Sequence, residues 1–347
     1  MFKKALDEIL AGNDLSTELA EEAVVCLLKG EIDEIRQAGF LTALKMKGET
    51  AEEVASFART MRRLAQPVAT NGFEVIDLAG TGGDGKSTFN VSTAVAFVIS
   101  GAGAKVAKHG NHGVSGPVGS ADVLEALGIP CNVEKTLAEE CLQEHGLVFL
   151  YAPRFQPATG NVAKVRKSLG FRTIFNILGP ITNPAAPTSQ LMGIYDYKLA
   201  PTAARVLVEL GAKRVMVVHS TDGMDEISTF VPTKVCEIYE GKESQYEIDP
   251  REYGFTKQRG LYTVKNSAES AKMIKAVMQG EETVARDMVL LNAGAALYIY
   301  GLASDIKEGV KMAQESIASG AAAQKLLSMQ AWGEKIKRLA LESTKVS

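Results

Sequence analysis

A glycine-rich turn between an apolar strand and an apolar helix constrains the fold of this chain more than any other feature. Residues 75–78 predict a buried strand, residues 80–87 contain four glycines, and residues 91–100 predict a helix. The elements predicted after them are strands at 104–107, 147–151 and 215–219 and a helix at 203–210. Strands that alternate with helices form a mostly parallel sheet, and ligands bind beyond the carboxyl ends of its strands.

The first 70 residues predict helices without strands. One helix ends at Gly30, a second stops at Gly48, and Thr50 with Glu53 forms the capping box of a third. Two Ala-rich helices are predicted near the other end, at 285–300 and 306–330. We therefore predict an α/β fold with a smaller all-helical N-terminal domain, residues 1–70, and an α/β domain, residues 71–347, whose mostly parallel central sheet is flanked by helices.

Composition excludes several classes of function. The 38 Lys and Arg residues against 41 Asp and Glu give a net charge of −3, which provides no overall basic field for nucleic acid or an anionic membrane. No apolar run approaches the roughly 20 residues that span a bilayer, and the first residues become acidic before a signal-peptide core can form. The four cysteines show no C-x-x-C spacing, so we expect a cytoplasmic protein without a disulfide framework or zinc site.

The turn at 80–87 matches G-x-x-x-x-G-K-S, the phosphate-binding loop of nucleoside triphosphatases. That class also needs a strand that ends in Asp to hold Mg²⁺, whereas the strand at 215–219 ends in His219 and Asp77 lies on the strand before the turn. A tight turn without a ligand is a second interpretation. We favour a phosphate site of another kind, because glycine amides and a helix N-terminus both favour an anion.

Neighbouring polar residues support an anion site. Asn90, Ser92 and Thr93 begin the helix after the turn, and Lys108 follows the next strand as a candidate counter-charge. Ser120 and Asp122 open a further helix, where either could be only a cap.

Asp225 and Glu226 follow the strand at 215–219, at the same predicted edge of the sheet. One or two carboxylates with ligand phosphates typically hold Mg²⁺, and Ser92 could supply another oxygen. A basic segment contributes Lys164, Arg166, Lys167 and Arg172, one of which could meet an anionic second substrate. No Ser-His-Asp or Cys-His arrangement is present in the sequence, so no covalent nucleophile or general base is assigned.

Taken in order, these motifs resemble the anthranilate phosphoribosyltransferase family, in the superfamily that also contains nucleoside phosphorylases. The matching stretches are Gly80-Thr81-Gly82-Gly83-Asp84, Asn90-Val91-Ser92-Thr93, Lys108-His109-Gly110-Asn111, Gly119-Ser120-Ala121-Asp122, the run from Arg172 to Pro184, and Met224-Asp225-Glu226. The resemblance implies a homodimer formed through the helical domain, against which a segment near 165–185 could also pack. It also implies Mg²⁺-dependent transfer of the phosphoribosyl group from phosphoribosyl pyrophosphate (PRPP) to anthranilate in tryptophan biosynthesis, with release of pyrophosphate.

The resemblance also implies residue roles. PRPP would be held by Gly80, Gly83, Asp84, Thr88, Asn90, Val91, Ser92, Thr93, Lys108 and Ser120. Anthranilate would contact Gly80, His109, Asn111, Gln156 and Arg166, with Arg166 pairing its carboxylate. Mg²⁺ would be held by Ser92, Asp225 and Glu226.

Three stretches depart from the family pattern. His112 replaces an Arg, Gly116-Pro117-Val118 replaces a Ser-Lys-Ser run in a loop expected to close over PRPP, and Gln156-Pro157-Ala158-Thr159-Gly160 replaces His-Pro-Ala-Met-Lys. These departures keep open a related enzyme that uses another aromatic amine. Less favoured alternatives are a pyrimidine nucleoside phosphorylase and a non-catalytic relative that binds nucleic acid.

Overall fold

Four helices form the N-terminal part of the molecule. A computed structural model describes residues 1–113, 118–256 and 262–346. Its first helices are α1 (Phe2–Leu10), α2 (Thr17–Leu28), α3 (Glu34–Lys47) and α4 (Ala51–Leu64). Side chains of Ser16, Asp33 and Thr50 accept a backbone N–H at the starts of α2, α3 and α4, as the predicted capping box requires at Thr50.

The apolar core of these helices continues into two later helices. Phe40 and Phe57 lie fully buried in it, and α9 (Gly160–Leu169) and α10 (Phe175–Ile181) contribute Val162 and Leu178. The side-chain amide of Asn161 also donates to the Leu28 carbonyl at the end of α2, at 2.7 Å. The helical part therefore packs directly against a segment that follows the third strand of the sheet.

A seven-stranded sheet forms the centre of the molecule. Its strands are β1 (Ile76–Gly80), β2 (Val106–Gly110), β3 (Leu147–Tyr151), β4 (Ser189–Gly193), β5 (Arg214–Ser220), β6 (Thr233–Tyr239) and β7 (Lys242–Ile248). The order is β3-β2-β1-β4-β5-β6-β7, with β1 to β5 parallel and β6 and β7 antiparallel. The predicted α/β class with a mostly parallel sheet is confirmed. The order reverses between β1 and β4, where an open parallel sheet leaves a crevice for ligands.

The remaining helices cover the faces of the sheet. They are α5 (Val91–Gly101), α6 (Ser120–Ala126), α7 (Lys135–His145), α8 (Ala152–Phe155), α11 (Ala200–Glu209), α12 (Ser267–Met278), α13 (Val284–Tyr300), α14 (Ile306–Ala318) and α15 (Ala321–Val346). Helices α5 and α13 are apolar on nearly all sides because both lie inside the core. Within the described ranges, no helix has both the length and the apolar character that crossing a membrane requires.

The structure corrects several predicted elements. The single helix expected at 306–330 is wrong, because Gly320 adopts a left-handed backbone (φ 79°) that separates α14 from α15. Strands β4, β6 and β7 were not predicted, and β7 is rich in polar residues because it lies at the edge of the sheet. Strand β2 begins later than expected and extends to Gly110, so Lys108 and His109 lie within it.

Candidate functional site

A cavity of about 350 Å³ opens at the carboxyl ends of β1, β2 and β4. Its walls come from the glycine turn after β1, the start of α5, the segment after β2, helices α9 and α10, and the acidic pair after β5. It therefore occupies the crevice where the strand order reverses. Nearly every predicted site residue lines it: Gly80, Gly83, Asp84, Thr88, Asn90, Val91, Ser92, Lys108, His109, Asn111, Ser120, Gln156, Arg166, Asp225 and Glu226.

The glycine turn is shaped by contact with Asp225. Gly82 and Gly83 have left-handed backbones (φ 62° and 77°), and the Gly82 amide donates to Asp225 Oδ2 at 2.7 Å. A Cβ at Gly80 would lie 2.6 Å from the same oxygen, so only glycine allows this approach. The turn thus brings backbone amides and a carboxylate together at one end of the cavity. Lys86, the residue on which the triphosphatase interpretation depends, does not line the cavity.

Three carboxylates repel one another at this end. Burial and the negative charge of Asp84 raise the pKa of Asp225 to about 6, and burial with Asp225 and Asp84 raises the pKa of Glu226 well above its ordinary range. The hydroxyl of Thr88 donates to Glu226 at 3.5 Å, whereas Asp84 Oδ2 is buried without a partner among the described residues. Such a group of carboxylates is stabilised by a bound cation.

Lys108 is a buried residue of the cavity wall. Its side chain is 4% exposed, and Nζ donates to the Leu78 carbonyl at 2.6 Å. Burial lowers its pKa, while the charges of Asp77 and Glu226 act in the opposite direction. Asp77 is fully buried beside β2, where it accepts the His109 amide at 3.1 Å, and burial raises its pKa to about 6. The sheet thus places the amino group of Lys108 in the cavity wall, and its role as a counter-charge for an anion stays a prediction.

The start of α5 is fixed by a hydrogen bond to α12. The Asn90 amide donates to the Ser270 hydroxyl at 2.9 Å, and Ser92 lines the cavity one residue beyond Val91. Thr93, which the resemblance places against PRPP, does not line the cavity. It is fully buried, and its hydroxyl donates to the Asn90 side chain.

His109 is held in a neutral form. Its Nδ1 donates to the Gly179 carbonyl at 3.2 Å, since a carbonyl oxygen only accepts. Burial, with the positive charges of Lys108 and Arg62, lowers its pKa to about 4. His109 therefore presents an uncharged ring to the cavity at neutral pH.

The side chain of Asp122 fixes the segment after β2. Asp122 accepts His112 Nδ1 at 2.6 Å and the amides of Gly113 and Gly119 at 2.9 and 2.7 Å. The hydroxyl of Ser120 lies 3.4 Å from the Asn111 carbonyl. Val118 lines the cavity, while Gly116 and Pro117, at the position of the expected closing loop, lie outside the described residues.

Arg166 marks the opposite end of the cavity. It projects from α9 and lies over the Phe175 ring, 5.3 Å from its centre, and burial lowers its pKa. No carboxylate of the described residues forms an ion pair with it. A desolvated guanidinium without a counter-ion is a binding site for a carboxylate.

Gln156 lines the same end, and its side-chain amide is engaged by Thr182. Its Nε2 donates to the Thr182 carbonyl at 2.6 Å, and its Oε1 lies 3.5 Å from the Thr182 hydroxyl. Arg172, another residue of the basic segment, does not line the cavity. It donates to the Gly83 carbonyl and lies over the Tyr195 ring, 4.0 Å from its centre, so it supports the glycine turn from behind.

Sequence reasoning missed residues that the fold brings in from distant elements. Met61 reaches the cavity from α4, and Asn176 lines it from α10. Asn292 of α13 donates to the Ile227 carbonyl at 2.8 Å and accepts the Ile227 amide at 3.0 Å, which fixes the chain directly after Glu226. An Asn within an otherwise apolar helix was the one available signal, because a buried amide needs partners.

Comparisons with known proteins agree with this architecture. Residues 72–323 match the a/b domain of a glycosyl transferase family, and residues 3–65 match its helical bundle domain. The anthranilate phosphoribosyltransferase of Clostridium kluyveri is 46% identical over 93% of this chain and 96% of its own length. That of Petrotoga mobilis is 46% identical over 95% and 96%.

Solved structures give the same result. The anthranilate phosphoribosyltransferase of Thermus thermophilus superposes with a TM-score of 0.89 at 38% identity, covering 95% of this chain and 99% of that one. The enzyme of Saccharomyces cerevisiae in complex with PRPP and Mg superposes with a TM-score of 0.86 at 27% identity, covering 96% and 98%.

The fold and the site define a glycosyl transferase in which a helical bundle precedes an a/b domain. Identity of 46% to two relatives over nearly the whole length narrows this class further. The chain belongs to the anthranilate phosphoribosyltransferase family, and the resemblance seen in its motifs is confirmed.

The neutral state of His109 predicts a pH dependence of stability. Its pKa is about 4 in the folded protein and 6.5 ordinarily, so protonation favours the unfolded chain between these values. We expect this residue to remove about 3 kcal/mol from the free energy of unfolding as the pH falls from 6.5 to 4. Urea unfolding of wild type and His109→Gln across that range measures the difference, and equal pH slopes would contradict it.

Proposed function

We propose that this protein transfers the phosphoribosyl group of PRPP to the amino group of anthranilate, with Mg²⁺ and release of pyrophosphate, as a step towards tryptophan. One observation carries the proposal: a single cavity joins a glycine turn with three carboxylates at one end to an unpaired guanidinium at the other. The names of the relatives support the same reaction. This reaction needs a site for a polyanion beside a site for a small aromatic carboxylate.

The polyanion end would hold PRPP. The residues proposed to contact it are Gly80, Gly83, Asp84, Thr88, Asn90, Val91, Ser92, Lys108 and Ser120, all of which line the cavity. Thr93 would act indirectly, through the Asn90 side chain. Glycine amides and the start of α5 suit phosphate oxygens because they present N–H groups without a side chain in the way.

The acidic residues fit Mg²⁺. Among the described residues, no three Asp, Glu, His or Cys side chains form a closed metal cage, and Mg²⁺ commonly takes only one or two carboxylates with waters and ligand phosphates. Burial and the neighbouring carboxylates raise the pKa values of Asp225 and Glu226, and Ser92 lines the same cavity. We propose that Ser92, Asp225 and Glu226 hold the metal, which when bound would neutralise charge on the departing pyrophosphate.

Arg166 would orient the acceptor by its carboxylate. Asn111, His109 and Gly80 would then lie along the aromatic amine towards the PRPP end. Neutral His109 places no positive charge near an amine that must become more positive as it reacts. Gln156 would shape the wall, because its amide is engaged by Thr182.

Positioning accounts for the chemistry. The bond between C1 of the ribose and the pyrophosphate oxygen breaks, the bond between C1 and the amine nitrogen forms, and the nitrogen loses one proton to solvent. An arylamine is already a nucleophile, so two substrates held in line need no covalent intermediate with the protein. Carboxylates near the ribose would stabilise the positive charge that develops there.

The acidic pair gives the first test. The assay mixes the protein with PRPP, Mg²⁺ and anthranilate, and it measures both the release of pyrophosphate and the loss of anthranilate fluorescence. Asp225→Asn combined with Glu226→Gln should lower turnover by about a hundredfold or more, because both carboxylate charges proposed to hold the metal are lost. The matched control is Asp222→Asn, in the same turn but outside the cavity lining. Unchanged turnover in the double variant would remove the pair from the site.

Arg166 gives the second test. Arg166→Met should raise the KM for anthranilate by about 10- to 100-fold with kcat little changed, as the loss of a charged hydrogen bond predicts. Lys164→Met is the control, because Lys164 lies on the same helix with an exposed side chain paired to Glu34. If the true acceptor has no carboxylate, wild type and Arg166→Met should have the same KM for it. That result would indicate a different aromatic amine.

The proposal includes a homodimer through the helical domain, residues 1–70, with the α/β domain as residues 71–347. Large apolar side chains are exposed on the helical part: Ile35 is 85%, Met46 84% and Leu10 66% exposed. Exposed apolar surface on a folded protein often marks an interaction site.

Sedimentation measures the assembly. We expect twice the 37.1 kDa of one chain for wild type and a single-chain mass for Ile35→Glu combined with Met46→Glu. Leu302→Glu, at a partly exposed position outside the helical part, should leave the dimer intact. A wild type that sediments as a monomer would overturn this part of the proposal.

A further inference from the structure

A small recess adjoins the acceptor end of the cavity. It lies between α2, α4 and the turn before α9, and its own walls are Leu28, Leu64, Ala65 and Ala158. Met61, Gln156 and Thr159 line both the recess and the main cavity, so the two spaces share a wall. These three side chains therefore lie between a ligand in the main cavity and the recess.

The polar atoms in that shared wall are already engaged. Gln156 Nε2 donates to the Thr182 carbonyl at 2.6 Å, and the Thr159 hydroxyl donates to the Gln156 carbonyl at 2.7 Å. The remaining walls are aliphatic, together with the thioether of Met61. An apolar space without free polar partners does not hold water well and favours an apolar group.

The size of the recess limits what it can take. Its volume of about 10 Å³ is at the lower limit for one water molecule, so the largest group that it can take is a single methyl group or chlorine atom. Met61 is unbranched and adapts its shape to a neighbour at small cost.

We propose that the recess is a specificity subsite for one methyl-sized apolar substituent on the ring of the acceptor. The inference rests on the proposed function, in which Arg166 holds the carboxylate and the amine faces the PRPP end. With those two groups fixed, the proposal places one edge of the ring against Met61, Gln156 and Thr159, which line the same cavity as Arg166. The acceptors that this protein takes then include an anthranilate that carries a methyl or chloro group at the position on that edge.

The experiment compares anthranilate with its 3-, 4-, 5- and 6-methyl derivatives in the pyrophosphate assay. We expect one isomer to have a kcat/KM equal to that of anthranilate or up to about fourfold higher, since one buried methyl group contributes that much. Ala158→Val fills the recess from the wall that the main cavity does not touch. It should lower the kcat/KM of that isomer by about tenfold or more and change that of anthranilate less than about twofold.

Two further variants serve as a repeat and as a control. Ala65→Val fills the same recess from the end of α4, so it should repeat the effect even where Ala158→Val disturbs its turn. Ala163→Val, on the exposed face of α9, should leave all substrates unchanged.

Three outcomes decide between the proposals. Turnover of anthranilate with rejection of all four isomers by more than about tenfold overturns the recess and leaves the proposed function standing. Equal losses for anthranilate and the favoured isomer in both filling variants also overturn it. If anthranilate itself is not turned over, the proposed function fails. Fluorescence titration of the isomers against wild type and Ala65→Val then still tests the recess. Weaker binding of one isomer alone to Ala65→Val supports the recess, and equal binding of all isomers to both proteins overturns it.

Discussion

The contact between Asp225 and two strand-ending glycines underlies the whole site. Gly80 ends β1 and Gly193 ends β4, and the two are paired neighbours in the sheet. A Cβ at either position would collide with Asp225, whose carboxylate also accepts the Gly82 amide at 2.7 Å. Three segments far apart in sequence therefore meet at the reversal of strand order. Because neither glycine carries a side chain, the acidic pair comes close enough to share one cavity with the glycine turn.

The electrostatic design follows from that contact. Carboxylates crowd one end of the cavity, and their raised pKa values show that the fold holds them in a state that a cation would relieve. Arg166 at the other end has been desolvated without receiving a counter-ion from the described residues. A cation at the acidic end and a carboxylate at Arg166 would offset both arrangements. Such unsatisfied charges at the two ends of one cavity are typical of a site for two substrates.

Most of the site could be predicted from sequence because its residues sit in short, ordered motifs. The glycine turn, Lys108, Arg166 and the Asp225-Glu226 pair were all identified before the structure, and all line the cavity. Thr93 was placed against PRPP by position in its motif, yet the helical period turns it into the core. Met61 could not be found, because nothing in a single sequence says which helix covers the open end of a sheet, and Asn292 was signalled only by its position within an apolar stretch. The edge strand β7 was missed for a related reason, since its polar residues lack the alternation that marks a half-buried strand.

By itself the sequence determined the class of the fold, the glycine-rich turn after the first strand and the family, because these depend on local periodicity, glycine placement and the order of motifs. Tertiary structure alone decided what each charged group faces. It showed that His109 is neutral beside Lys108 and Arg62, that Gln156 turns towards Thr182, and that an apolar recess lies behind Ala158. Burial and the surroundings of a side chain are properties of packed elements, and residues distant in sequence supply them.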